Sequence, residues 1–437
     1  MQTNLKTQQQ EEYKQTELGL LPKEWKVVRL IDLVDLQRGT EVGSKNYNKD
    51  GRGIRFLRVV DVSGSRNEKI YTTSKNIKKC RENDVLITFD GSPGIVKRGL
   101  KGAYSSGIRK VIIKEESKIL LDFVYYVAFT PFVQKTIGKY STGVTIKHAS
   151  KAIPHIKIPL PPLQEQKAIA FVLSTIQTAK EKTEQVIQAT KELKKSLMKH
   201  LFTYGPVSLK DAEKVKLKET EIGKIPEGWD VVRLIETAEK DSDIVGGPFG
   251  SNLKVSDYKN SGVPIIRLQN IERNMFVNKD IKYVSEEKAE ELRYHSFRAG
   301  DIILAKLGDP IGKTCIVPDY LTKGIVVADV VRIRTKEDIT DKKYIVHVLN
   351  SSFVEKQFRQ QKTGTTRPRV NVSNVRNIKI PLPPLQTQKK IASILSAVDE
   401  KIEKEENKKK ALEELFKSML YNLMSAKIRV KDLVVEK

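Results

Sequence analysis

The chain has 437 residues, of which 39% are hydrophobic and 30% charged, which is typical of a folded protein with two or three domains and excludes a disordered chain. Its 79 Lys and Arg outnumber 54 Asp and Glu, and the net charge of +25 predicts an anionic partner, most simply nucleic acid. A merely solubilising lysine-rich surface is the alternative. Two distant cysteines and five scattered histidines exclude a disulfide framework and a structural zinc site. With no long apolar run and no signal peptide, we expect a cytoplasmic protein without a membrane partner.

The first element is an entry segment, ELGLLPKEWKVVRL at 17–30, followed by a stretch with short β-branched runs broken by Gly and Pro. We define residues 23–162 as the first module and predict a compact α/β fold with an irregular sheet. The module holds 27 basic and 13 acidic residues, net +14, whereas the segment 163–204 after it has a net charge of only +3. Most of the excess charge therefore lies in the modules and not in the helices predicted next.

Pro-Leu-Pro-Pro-Leu at 159–163 marks the start of a long helix, because its prolines forbid helix before that point and suit a first turn just after it. About 40 residues without Pro or Gly follow until Gly205, or roughly 60 Å of helix. Apolar residues recur every three or four positions, a stripe that predicts packing against a second helix. They are Ile169, Val172, Leu173, Ile176, Ala179, Val186, Ile187, Leu193, Leu197 and Leu201.

The chain then repeats itself. EIGKIPEGWDVVRL at 221–234 matches the entry segment, and IKIPLPPLQTQKKIASILS at 378–396 matches IKIPLPPLQEQKAIAFVLS at 156–174. The offsets are 204 and 222 residues, so the second copy has a longer middle, and the chain is an internal duplication. We define residues 227–384 as the second module (net +5); it diverges from the first except for a faint skeleton such as STGVT at 141–145 against KTGTT at 362–366. Unlike ligands for the two modules would explain this, and neutral drift is the alternative.

A second long helix is predicted after Pro-Leu-Pro-Pro-Leu at 381–385, again with an apolar stripe. Its members are Ile391, Ile394, Leu395, Val398, Ile402, Leu412, Leu415, Phe416, Met419 and Leu423. Both helices are polar at their centres, with Thr183-Glu184 in the first and Glu405-Glu406 in the second. If the helices pair antiparallel about a pseudo-twofold axis, these centres meet in a polar layer that fixes the register; exposure where the helices splay is the alternative.

The sequence offers no motif for catalysis. GDPIGKT at 308–314 is one residue too short for GxxxxGK[ST], and we interpret it as a loop between strands. GGPFG at 246–250 is not GxGxxG, and the double prolines do not form an adenine-methyltransferase motif. We therefore expect a protein that is not an enzyme.

With these repeats the chain closely resembles the specificity subunits of type I restriction–modification enzymes, over nearly its whole length. The resemblance depends on the two IPLPPLQxQ segments, the two (I/L)PxxW(D/K)VVRL entries, TGTTRPRVN at 363–371 and GPFGSNLKVSDYKNSGVPIIR at 247–267. It implies a mixed α/β (α+β) fold in which two globular recognition domains, related by a pseudo-twofold axis, are joined by two antiparallel helices that form a coiled coil. The implied domains are 1–162 (first target recognition domain), 163–204 (first spacer helix), 205–384 (linker and second recognition domain), 385–427 (second spacer helix) and 428–437 (tail).

The resemblance also implies a function. Each module would bind one half of a bipartite, asymmetric site in double-stranded DNA, while the helices set the gap and dock two methylation subunits, with restriction subunits joining the full complex. The chain itself would carry no cofactor, since S-adenosylmethionine, ATP and Mg would bind the partner subunits. The alternatives are a basic coiled-coil scaffold that associates with DNA without restriction partners, and a standalone nuclease without a visible motif.

Candidate DNA contacts are polar and basic residues in stretches that we expect to be loops, because such side chains hold phosphates or recognise base edges. They are Arg38, Lys45, Arg98, Arg109 and Lys147 in the first module, and Ser251, Asn252, Lys254, Lys313, Arg367 and Arg369 in the second. Lys147 is the residue that the resemblance offers in the first copy, where STGVTIKHA replaces KTGTTRPRV. For helix pairing the candidates are Ile169, Leu173, Ile176, Leu197, Ile391, Leu395, Val398 and Met419.

Overall fold

The computed structural model describes residues 12–364 and 368–430, which fold into two compact units. The first unit contains the residues up to Thr183 and those from Lys408 onward; the second is Glu184–Asn407. Each unit therefore combines one module with a part of both long helices. The five-part division expected from the sequence remains a prediction of functional parts, because contacts group the residues in this other way.

The first unit contains two four-stranded sheets. One is antiparallel throughout, in the order Val96–Lys97, Leu86–Thr88, Ile108–Ile113, Val34–Arg38. The other has the order Tyr71–Thr72, Ile54–Leu57, Gly102–Tyr104, Lys79–Cys80, and its two central strands are parallel. Three two-stranded ribbons complete the unit: Tyr13–Thr16 with Gly19–Pro22, Lys26–Arg29 with Lys157–Leu160, and Asp90–Gly91 with Lys147–His148.

Short helices cover these sheets and enclose a core that is rich in aromatic side chains, including Trp25, Phe89 and Phe123. The α-helices are Leu30–Leu33, Val59–Ser63, Leu121–Val127 and Pro131–Lys139, and the 3-10 helices are Ser44–Asn46 and Ser150–His155.

The second unit repeats this topology. Its antiparallel sheet has the order Ile244–Gly246, Val330–Ile333, Ile302–Ala305, Thr314–Ile316. Its mixed sheet has the order Lys282–Val284, Val263–Ile266, Lys323–Val326, Ser296–Arg298, again with the central pair parallel. The ribbons are Leu217–Thr220 with Gly223–Pro226, Asp230–Arg233 with Lys379–Leu382, and Ile271–Glu272 with Met275–Phe276.

Each short helix given for the first unit has a counterpart in this one, whereas Ala212–Lys214, Asp241–Asp243, Glu286–Glu291 and Arg293–His295 have none there. The α-helices are Glu286–Glu291, Lys342–Leu349, Ser352–Gln361 and Val372–Arg376; the 3-10 helices are Ala212–Lys214, Leu234–Thr237, Asp241–Asp243, Val255–Asp257, Leu268–Asn270 and Arg293–His295.

Matching strand orders in the two units confirm the duplication and the mixed α/β fold. Both units also pack two backbone segments closely at an equivalent glycine. A Cβ at Gly39 would lie 2.1 Å from the Ser105 carbonyl oxygen, and a Cβ at Gly247 would lie 2.1 Å from the Val327 carbonyl oxygen. No larger residue fits at either position. Trp25 and Trp229, which occupy the same place in the two entry segments, are both buried.

The two long helices span Leu163–Tyr204 and Leu385–Met424. A buried glutamine fastens the start of each to its module. Gln166 donates to the carbonyl oxygens of Lys118 and Pro161, 2.9 Å each, and accepts from the Leu120 N–H at 2.9 Å. Gln388 makes the same three bonds with Ile339, Pro383 and Asp341. This explains why the last glutamine of IPLPPLQxQ recurs in both copies.

Within each unit the helix segments run antiparallel. In the first unit Ile169 and Leu173 share a core with Leu423 and Met424, and Ile176 is also buried. In the second unit Leu197 packs on the core that contains Ile391 and Leu395. Three of the candidate pairing residues, Leu197, Val398 and Met419, are only half-buried.

The stripe predicted from the sequence is too wide. Val186, Leu193, Ile394 and Leu415 belong to it by spacing, but their side chains are exposed. A period of 3.6 residues places apolar residues on one broad face, and only part of that face is covered by the neighbouring helix.

The sequence left two outcomes for the polar centres of the helices, a buried polar layer and exposure to solvent, and the structure shows each at some of the residues. Thr183 is buried and its hydroxyl donates to the Ala179 carbonyl of its own helix, whereas Glu184 and Glu406 are exposed. Glu406 forms an ion pair with Lys191 at 2.6 Å. None of the helices among the described residues is both long and apolar enough to cross a membrane.

Candidate nucleic-acid interface

A matching turn structure lies just after the helix Pro131–Lys139 in the first module and just after the helix Ser352–Gln361 in the second. In the first module Thr142 and His148 exchange two backbone hydrogen bonds, of 2.9 and 2.7 Å. In the second, Thr363 and Arg369 exchange two bonds, of 2.9 and 3.0 Å. We call these pairs the Thr142–His148 bridge and the Thr363–Arg369 bridge.

Each bridge is anchored at the same place in its sheet. The residue after the bridge, Ala149 or Val370, is buried and donates its N–H to the carbonyl of Phe89 or Lys306. Because the bridges match residue for residue, His148 is the counterpart of Arg369. Lys147, the residue suggested by the resemblance, is exposed beside it and corresponds to Pro368.

In the first module a polar network surrounds His148. Its ring Nδ1 lies 2.8 Å from Asp90 Oδ1, and the other oxygen of Asp90 lies 3.7 Å from a guanidinium nitrogen of Arg109. The Arg109 guanidinium also donates to Ser150 Oγ at 2.8 Å. Arg38 is the cross-strand partner of Arg109, and its exposed side chain donates to the Ser106 carbonyl at 3.3 Å.

Arg109, which the sequence analysis names as a candidate DNA contact, is only 5% exposed. Burial lowers the pKa of its guanidinium, and Asp90 opposes that shift. Its hydrogen bonds are spent on the protein, so Arg109 positions Asp90 and the neighbouring backbone.

Arg98 is also engaged by the protein. Its guanidinium pairs with Asp122 at 2.7 Å and lies over the Tyr125 ring, 4.6 Å from the centroid, so it packs against the helix Leu121–Val127. Lys45 is exposed on the 3-10 helix Ser44–Asn46 and remains a candidate. The network thus brings together Arg38, Arg109 and the bridge, while Arg98 and Lys45 lie on other elements.

The second module places different charges at the same positions. Lys306 occupies the place of Phe89, and Leu307 that of Asp90. Burial lowers the pKa of the Lys306 ammonium group; Asp329 opposes this, and the neighbouring Arg369 adds to it. Gly246 stands where the first module has Arg38, and a Cβ there would lie 3.6 Å from Lys306 Nζ.

The other candidates of the second module lie on two surfaces. Ser251, Asn252 and Lys254 are exposed in the turn after the strand Ile244–Gly246, beside the exposed Phe249. Lys313 forms an ion pair with Glu272 at 2.7 Å. It lines a groove of about 1100 Å³ in the second unit whose lining does not include the residues of the Thr363–Arg369 bridge. GDPIGKT, which contains Lys313, connects two adjacent antiparallel strands as expected.

Arg369 is exposed, and Arg367 lies outside the described residues. His148, Asp90 and Lys306 are absent from the candidates chosen by sequence. Aligning STGVTIKHA with KTGTTRPRV residue by residue would have found His148. Asp90 and Lys306 carry no sequence signal, because only the sheet brings them to the bridge. Among residues 12–364 and 368–430, no three His, Cys, Asp or Glu side chains gather as a metal site.

Comparison with known proteins connects this geometry to one family. The family described as "Type I restriction modification DNA specificity domain" matches residues 22–192 and again 226–414. The MjaVIII specificity subunit of a type I restriction enzyme from Methanocaldococcus jannaschii is 30% identical, over 97% of this chain and 97% of its own length. The EcoKI specificity subunit from Escherichia coli is 22% identical, over 89% of this chain and 86% of its own.

Solved structures have the same fold. The S subunit of a type I restriction–modification system from M. genitalium superimposes with a TM-score of 0.61 and 17% identity, over 92% of this chain and 96% of that one.

Proposed function

Because the chain belongs to the type I restriction–modification DNA specificity family, we propose that it recognises a bipartite, asymmetric site in double-stranded DNA, one half with each module. The observation that carries this proposal is the pair of bridges. The backbone around the two bridges is the same in both modules. The side chains there differ, being Asp90 and His148 in the first module and Lys306 and Arg369 in the second. Different hydrogen-bond donors and acceptors on equivalent backbones can recognise different half-sites of DNA.

Basic side chains outside the bridges supply affinity without sequence preference in this proposal. Arg38, Lys45 and Lys147 in the first module and Lys254 in the second are exposed and can hold phosphates, which fixes the protein on the duplex. Ser251 and Asn252 lie beside Lys254 and can contact base edges.

Two methylation subunits dock on the long helices in the same proposal. Leu193 in the second unit and Leu415 in the first hold equivalent positions, 222 residues apart, and both leucines are exposed. Two like apolar sites suit two copies of one partner. S-adenosylmethionine, ATP and Mg then bind the partners, restriction subunits join them, and the complex acts in the cytoplasm on DNA.

Selection of bound sites from random duplex DNA tests the proposal, with the full chain alone and with candidate methylation subunits. We expect two short, unlike motifs at a fixed gap. Salt-sensitive binding with no enriched motif would contradict it and leave a basic scaffold that associates with DNA.

A further inference from the structure

The two bridges present one residue each at the same point of the fold. His148 pairs with Asp90 on the neighbouring strand, and Arg369 pairs with Leu307 in the same register. A glycine in the left-handed region follows the threonine of each bridge, Gly143 and Gly364. The backbone at residues 148 and 369 is therefore equivalent, and the side chain is what differs.

Their hydrogen-bonding capacities are opposite. A guanidinium such as that of Arg369 only donates, and its planar fork matches the two acceptors of guanine in the major groove. The Asp90 carboxylate accepts a hydrogen bond from His148 Nδ1–H at 2.8 Å, and the His148 side chain is 61% exposed. In the tautomer that carries its proton on Nδ1, Nε2 is an acceptor. In the major groove the complementary donors are the amino groups of cytosine and adenine.

We infer that residues 148 and 369 are equivalent base-contacting positions, with Arg369 selecting a guanine in one half-site and His148 an amino-bearing base in the other. This rests on the proposed function. Asp90 is the positioning residue that makes His148 an acceptor, and the second module has no such need, since Leu307 replaces the carboxylate.

The test is selection of bound DNA sites with full-length variants at His148 and Arg369, which are both exposed. Arg369→Ala and Arg369→Lys should each relax one guanine position in one motif, with a loss of discrimination of about tenfold. The lysine variant keeps the charge and loses the bidentate geometry. His148→Ala should relax one position in the other motif only, and His148→Arg should convert its preference to guanine.

Lys362→Ala and Lys147→Ala are the controls, because both lysines are exposed beside the bridges. They should weaken binding to every sequence alike. A wild-type motif that all four variants retain unchanged would overturn the inference while leaving the proposed function intact. No motif for the wild-type chain would overturn both.

Discussion

Lys194 forms an ion pair with Asp399 inside the antiparallel helix pair of the second unit. Their side chains are 13% and 28% exposed, and His347 lies behind them, with Nδ1 3.8 Å from Asp399 Oδ2. Burial lowers the pKa of Lys194 and raises that of Asp399, and each partner opposes the shift of the other. A charged pair thus lies where packing would favour apolar side chains.

The first unit solves the same position differently. At the repeat offset of 222, Phe416 corresponds to Lys194 and Gln177 to Asp399. Tyr126 stands in the place of His347, because the offset is 221 in this part of the module, where the Leu120 and Asp341 N–H groups bond to the equivalent glutamines. The rings of Tyr126 and Phe416 lie 6.2 Å apart, and Gln177 donates to the Tyr125 hydroxyl at 3.3 Å. One half of the duplication has therefore kept aromatic packing where the other has an ion pair.

Replacing Lys194 with Met should lower the free energy of unfolding by about 3 kcal/mol, because the Asp399 carboxylate would remain buried without a cation. The triple variant K194F/H347Y/D399Q copies the first unit and should recover most of that loss. Chemical denaturation measures both. Lys195→Met, an exposed neighbour, is the control and should change little. A triple variant no more stable than Lys194→Met would contradict the equivalence of the two positions.

Stability should fall with acid through His347. Burial and then the charges of Lys194 and Lys343 lower its pKa from 6.5 to about 3 in the folded chain. The unfolded state therefore binds the proton first as the pH falls below 6.5, and the loss grows until the folded residue titrates. From pH 7 to pH 5 we expect a loss of about 2 kcal/mol from this residue.

The variant His347→Gln isolates that contribution. Whatever its stability at pH 7, its free energy of unfolding should decline less steeply between pH 7 and pH 5 than that of the wild-type chain. Equal slopes for the two proteins would show that His347 binds a proton equally in both states.

The buried glutamines at the helix starts should be essential for stability. Gln388→Leu leaves the Ile339 and Pro383 carbonyls and the Asp341 N–H without their partner, at a cost of about 2–4 kcal/mol. Gln386, two residues earlier in the motif, is exposed, and Gln386→Leu is the matched control. Gln166 and Gln164 form the same comparison in the first copy. Thermal unfolding decides the matter, and similar shifts for variant and control would refute the fastening role.

Docking of partner subunits should depend on Leu193 and Leu415. Changing either to Glu places a charge in an apolar contact and should weaken binding of one methylation subunit at least tenfold, while both changes together should abolish the complex. Lys195 and Lys417 hold equivalent positions and lie about 200° around the helix from the leucines. The variants Lys195→Ala and Lys417→Ala therefore serve as controls. Sizing and calorimetry of mixtures provide the measurement. Full binding by the double variant would place the docking surface elsewhere.

The sequence predicted the elements that depend on local rules. Proline exclusion placed the start of each long helix, and the repeats established two equivalent modules. It did not predict burial of Arg109, because the Gly- and Ser-rich surroundings indicated a loop, whereas the residue lies in the strand Ile108–Ile113. The sequence also did not predict the ion pair between Lys194 and Asp399. A lysine within a helical stripe is ordinarily exposed, and its partner lies 205 residues away.

The last turns of the helix Leu385–Met424 complete the core of the first unit, and this has a consequence for synthesis. Leu420, Leu423 and Met424 belong to the same core as Trp25 and Phe123. While the ribosome is still making the second module, the first lacks this part of its interior. Messages cut short, or translation stopped early, would yield products with an open apolar face on their oldest part, which is the kind of surface that chaperones and proteases detect. The helix Leu385–Met424 must therefore be made before the first unit can close its core.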